Sequence, residues 1–126
     1  GREEIEKVYF PGLPEHPDHA LAARQFSQLS TPPRYGTMVT FTFRGGRAAA
    51  DAFIRAADRI PFCPSLGDLA TTLSHPETTS HRGLSAADRQ AQGITGGTIR
   101  LSLGIESTAA ILDALEQGLQ AVAGGR

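Results

Sequence analysis

The hydrophobic positions of this chain switch period several times, and each switch marks an element. Over 37–43, TMVTFTF, Val39, Phe41 and Phe43 alternate with Thr40 and Thr42, a period of two in β-branched and aromatic residues that predicts a strand. After Gly45 and Gly46 the period lengthens: Ala49, Phe53, Ala57 and Ile60 form one stripe, which predicts a helix over 47–60, ended by Pro61. PFCP then reads as a short strand leading into Ser65, Leu66 and Gly67, and LATTLSH (69–75) as a second one. Ser85 caps a helix that Gly93 closes. In TIRLS (98–102) alternation returns, with Ile99, Leu101 and Leu103 on one side and Thr98, Arg100 and Ser102 on the other. Ser107 caps a final helix over 108–122, with Leu112, Leu115, Leu119 and Val122 facing inward.

Upstream of these elements the pattern is weaker. Residues 1–9 are short and charged and read as a flank, or as the end of a linking helix. FPGLPEHPDH (10–19) is irregular because its prolines and glycine break any period. A helix is expected from near Pro17, with Leu21, Phe26 and Leu29 on or near its inner face, stopped by TPPRYG (31–36). Strands separated by helices, alternating rather than continuously apolar, predict an α+β domain: a mostly antiparallel sheet with helices on one face. Residues 10–126 form that domain, and no repeat or second domain is visible.

Composition narrows the partners. A net charge of -1 supplies no field for nucleic acid or an anionic membrane, and no apolar run approaches membrane-spanning length. The charged N-terminus does not read as a signal peptide. Cys63 is the lone cysteine, which rules out an internal disulfide and fits a reducing, cytoplasmic setting. Eleven of the twelve basic residues are arginine; Lys7 is the exception.

Candidate chemistry is sparse. His16 and His19 straddle a helix start next to proline and lack companion ligands, so a structural role there is expected and no metal site. His75 and His81 flank a loop, Cys63 reads as a small buried hydrophobe, and the glycine pairs Gly45-Gly46 and Gly96-Gly97 read as turns. Arg100, a permanent cation between two hydroxyls, reads on spacing alone as a solvated strand arginine. No nucleophile–base pair can be assembled, which disfavours an enzyme complete in itself.

Four segments in register add what spacing cannot. FPGLPEHPDHALAARQF (10–26), GTMVTFTFRGGRAAADAF (36–53), PSLGDLATTLSHPETTSHR (64–82) and GITGGTIRLSLGIES (93–107) resemble the C-terminal domain of the Cys/Met-metabolism enzymes that use pyridoxal 5'-phosphate. That family includes cystathionine γ-synthase and γ-lyase, methionine γ-lyase and the O-acylhomoserine sulfhydrylases, enzymes of fold type I. The resemblance implies that Arg100 clamps the α-carboxylate of an amino-acid substrate and that Ser65 hydrogen-bonds beside it. Pro64, Leu66 and Ser80 would line the site, with Ser80 and His81 ordering a loop. Cystathionine-handling members tend to carry glutamate where this chain has Pro64, and SLGD is closer to methionine γ-lyase or the sulfhydrylases. The family's Schiff-base lysine, phosphate loop, pyridine-nitrogen aspartate and stacking tyrosine belong to a large N-terminal domain without counterpart in these residues, and Lys7 lies in no matching motif. The cofactor would therefore be bound by that domain, this chain alone would be inactive, and the parent would be a homo-oligomer, by resemblance a tetramer. The alternative is a non-catalytic α+β interaction module derived from the family.

Overall fold

A computed structural model of the chain describes residues 2–125; positions 1 and 126 of the ranges above lie outside the described residues. The elements run β1 (Ile5–Tyr9), α1 (His19–Phe26), β2 (Met38–Phe43), α2 (Gly46–Ala56), β3 (Thr72–Ser74), α3 (Ala86–Ala91), β4 (Thr98–Ser102) and α4 (Thr108–Gly124). The four strands form one sheet in the order β1-β2-β4-β3, and each neighbouring pair is antiparallel.

Alternation decides which face is buried. Phe41 stands opposite Ile99, and Val39 and Leu73 each stand opposite Leu101, so these side chains share one face. There Phe41, Phe43, Leu73, Ile99 and Leu101 join Phe53, Ala57 and Ile60 of the α2 region and Ala114 and Val122 of α4 in a single core. Three phenylalanines form its centre. The Phe53 ring lies 5.6 Å from Phe41, edge to face, and 5.3 Å from Phe43, a geometry that aligns ring edges with ring faces. Gly118 lets α4 close on α2, because a Cβ there would fall 2.6 Å from the Phe53 ring.

Several sequence expectations change at this level. Residues 5–9, read as part of a flank or linking helix, form the edge strand β1, paired with β2 from Ile5 opposite Phe43 to Tyr9 opposite Thr40. An edge strand has one neighbour and one outer rim, so its charged residues stay in solvent while Ile5 reaches the core. The PFCP strand shrinks to an isolated parallel bridge between Phe62 and Leu73, and LATTLSH to the three residues of β3. Leu21, Leu29 and Leu112 are exposed rather than inward. In α1 the buried residue is Ala22, while Phe26 stacks on Tyr35 outside the main core. In α4 the close approach to Phe53 turns Ala114, Gly118 and Val122 inward and leaves Leu115 and Leu119 half-buried at the margin. α2 and α4 cover one face of the sheet; α1 and α3 stand apart from all other elements among the described residues.

Candidate functional site

The face opposite the core is polar and holds Arg100. Antiparallel register sets Tyr9, Thr40, Arg100 and Ser74 in one row across all four strands. The flanking Thr42, Thr72, Thr98 and Ser102 are buried, although alternation put Thr98 and Ser102 on the side away from the core. Loops explain this. Thr98 Oγ1 accepts from the backbone N–H of Thr95 at 2.9 Å, and Ser102 Oγ accepts from Gly67 N–H at 3.0 Å. Small hydroxyl side chains let loop backbone lie close and satisfy it at the same time.

Arg100 sits in the middle of this face, half-buried, beside a cavity of about 230 Å³ walled by Tyr9, Thr40, Ser80, His81, Gly93 and Thr98. Its Nη2 donates to the Pro64 carbonyl at 3.3 Å. Among the described residues no carboxylate pairs with it, whereas Arg2 pairs with Glu116 and Arg47 with Asp51 and Glu77. A guanidinium has five N–H donors in a planar fork. One long bond to a carbonyl leaves most of them available for a planar anion approaching through the cavity.

The structure brings some sequence-nominated residues together and leaves others apart. Arg100 and Ser80 share the cavity, where Ser80 Oγ lies 2.8 Å from His81 Nδ1. Pro64 reaches Arg100 through its carbonyl. Ser65 and Leu66 follow on the same loop, exposed and outside the cavity wall. His16 and His19 serve the start of α1: His16 Nδ1 accepts from Asp18 N–H at 3.2 Å, and His19 Nδ1 lies 2.8 Å from the Pro11 carbonyl oxygen.

Sequence reasoning missed the parts played by Tyr9, Thr40 and His75 at or behind the site and by Glu106 away from it. Tyr9 and Thr40 wall the cavity, but Tyr9 belongs to a strand too charged and short to show its alternation. His75 is fully buried; its Nε2–H donates to the Gly96 carbonyl at 2.7 Å and its Nδ1 lies 2.9 Å from the Thr78 hydroxyl. That clamp fixes the loop carrying Ser80 and His81. Its signal was present in SHPETT, since a threonine three residues on can reach a histidine ring. Glu106 receives Thr71 N–H at 2.6 Å and the Thr71 hydroxyl at 2.8 Å. The Thr71 backbone bond above all, then its own backbone N–H and the Thr71 hydroxyl, hold the Glu106 carboxyl below the ordinary glutamate range.

The fold matches solved enzymes of the fold-type I pyridoxal-phosphate class. Cystathionine γ-synthase from Xanthomonas oryzae pv. oryzae, solved in complex with cystathionine, superposes with a TM-score of 0.86 at 38% identity, over 98% of this chain and 30% of that one. The family model for Cys/Met metabolism PLP-dependent enzymes matches residues 1–120, and the chain belongs to that family. Among similar curated proteins, O-succinylhomoserine sulfhydrylase of Pseudomonas aeruginosa is 42% identical over 94% of this chain and 28% of its own length. L-methionine gamma-lyase of Fusobacterium nucleatum subsp. polymorphum is 36% identical over 94% of this chain and 29% of its own. The chain thus spans less than a third of the length of these relatives.

The cavity beside Arg100 is lined by a guanidinium, hydroxyls and an imidazole, and among the described residues no amine side chain lines it. Covalent attachment of pyridoxal phosphate needs an amine in a prepared pocket. The chain's one lysine, Lys7, lies with its ammonium 4.6 Å over the Tyr9 ring, held by its charge against the ring face.

Proposed function

We propose that this chain is the substrate-carboxylate-binding C-terminal domain of a pyridoxal-phosphate-dependent enzyme of sulfur amino-acid metabolism. The parent would carry out γ-elimination or γ-replacement on methionine, cystathionine or an O-acylhomoserine. One observation carries the reading: a half-buried arginine beside a cavity, unpaired with any carboxylate among the described residues, in a chain of this family. Arg100 binds and orients the α-carboxylate through its fork. Ser65, on the loop that meets Arg100 at Pro64, adds a hydroxyl beside it, and Ser80 and His81 close the far wall. In the parent the cofactor, held by the rest of the enzyme, supplies the electron sink for chemistry at the substrate's α-carbon. Pro64 stands where cystathionine-handling members tend to carry glutamate, so that position offers no anion to the distal ammonium of cystathionine, which suits methionine or an O-acylhomoserine better. By family resemblance the parent would be a homo-oligomer that works in the cytoplasm.

The test uses the full-length enzyme with L-methionine and O-succinyl-L-homoserine. A hydrogen bond to a charged group contributes about 1.5–3 kcal/mol, so Arg100→Ala should lower kcat/KM by roughly tenfold to a hundredfold or more. Cofactor absorbance should be unchanged. An analogue of methionine lacking the α-carboxylate should be indifferent to the substitution. Unchanged kcat/KM on both amino acids would reduce Arg100 to a solvated strand residue and overturn the reading.

A further inference from the structure

The loop that meets Arg100 has few attachments. Upstream it leaves the sheet after Cys63, whose N–H donates to the Leu73 carbonyl at 2.8 Å; downstream it rejoins where Ile105 N–H donates to the Leu69 carbonyl at 2.9 Å. Pro64, Ser65, Leu66, Gly67 and Asp68 between those points are all exposed. Two bonds tie this span to the sheet: Arg100 Nη2 to the Pro64 carbonyl, and Gly67 N–H to Ser102 Oγ at 3.0 Å. Gly67 has φ +75°, the left-handed conformation that glycine adopts without strain, in the backbone turn where this N–H meets Ser102. Ser102 is 2% exposed and lies two residues from Arg100 on the same face of β4, so it is a rigid post where the loop is not.

We propose that Ser102 is a positioning residue for Arg100. Its hydroxyl pins Gly67, the pinned turn holds the Pro64 carbonyl, and that carbonyl aims the guanidinium at the substrate carboxylate while Ser65 is presented beside it. This rests on the carboxylate reading of Arg100 given above. Ser102 touches neither substrate nor cofactor; it acts through backbone. Arg100 has several rotatable bonds and, among the described residues, one hydrogen-bond acceptor, so freeing that acceptor lets the fork wander and costs binding rather than chemistry.

Ser102→Ala in the full-length enzyme, assayed with L-methionine and O-succinyl-L-homoserine, should raise KM on the order of two- to tenfold, as loss of one neutral hydrogen bond allows, with kcat within about twofold. In an Arg100→Ala background the same change should have a much smaller effect, because the group it aims is gone. Gly67→Ala supplies a second route. A Cβ there meets nothing within 4 Å, so the substitution strains the exposed turn without touching the core, and the same KM signature is expected. Ser102→Thr, which keeps the hydroxyl, should recover KM toward the parent value. If Arg100→Ala raises KM while Ser102→Ala and Gly67→Ala leave it unchanged, the positioning role is overturned and the carboxylate reading stands. If the Ser102 and Arg100 effects multiply in full, Ser102 acts independently and the proposal is again overturned. If Arg100→Ala itself leaves kcat/KM unchanged, both fall together.

Discussion

Gly118→Ala should destabilise this domain, although a helix-interior glycine replaced by alanine ordinarily stabilises. The general gain is about 1 kcal/mol, from reduced backbone entropy and better helix propensity. Here the added Cβ would sit 2.6 Å from both Cδ2 and Cε2 of Phe53 and 3.1 Å from the Ala57 Cβ. Carbon pairs attract best at about 3.5–4.0 Å, so α4 must retreat by roughly an ångström or the ring must turn. The ring cannot turn freely. Phe53 is fully buried and wedged between Phe41 and Phe43, with centroids 5.6 and 5.3 Å away. Overpacking of such a core costs about 1–3 kcal/mol, which exceeds the propensity gain. The expected net loss is up to about 2 kcal/mol, and at about 4 °C per kcal/mol for a domain of this size the melting temperature should fall by several degrees. Thermal unfolding followed by circular dichroism measures it, with Gly124→Ala as control, since a Cβ at Gly124 meets nothing within 4 Å. A melting temperature raised by Gly118→Ala would refute the packing argument and show that α4 is seated more loosely than Phe53 implies.

Three further outcomes are expected. Thr72 is buried on the polar face and its Oγ1 has no hydrogen-bond partner among the described residues, so Thr72→Val should be neutral to about 1 kcal/mol stabilising in urea denaturation; marked destabilisation would show that the hydroxyl has a partner. Glu106 has a carboxyl lowered by Thr71, so its contribution is present above the ordinary glutamate value and lost as pH falls through the lower folded value. Glu106→Gln should therefore flatten the acid limb of the stability profile, and parallel profiles for the two proteins would contradict the assignment. Arg100→Lys in the full-length enzyme should recover only part of what Arg100→Ala loses, because an ammonium keeps the charge without the fork, and full recovery in kcat/KM would show that charge alone suffices.

Much of the architecture is written in local sequence. Period-two alternation in Val39, Phe41 and Phe43 and in Ile99 and Leu101 specified strands and their inner face, since a strand's side chains must point alternately up and down. The stripe Ala49, Phe53, Ala57 and Ile60 specified the inward side of α2 and of the turn that follows it, although the helix ends at Ala56 rather than running to residue 60, and Ser85 and Ser107 accept from the N–H groups of Asp88 and Ala110 as cap residues should. Family resemblance, carried by the four segments, nominated Arg100. What tertiary structure decided is everything that depends on a neighbour distant in sequence. β1 exists because β2 offers it a partner; its own residues are too charged to announce a strand. Leu112 is outside and Gly118 inside because the Phe53 ring sets how α4 lies, and a helix with apolar residues around much of its circumference does not itself choose a face. Likewise the burial of Thr98 and Ser102 comes from loops folding over a polar face, since a hydroxyl side chain is equally at home in water or under a backbone N–H. The row from Tyr9 to Ser74, with Arg100 at its centre, required all four strands in register, which no single stretch of the chain contains.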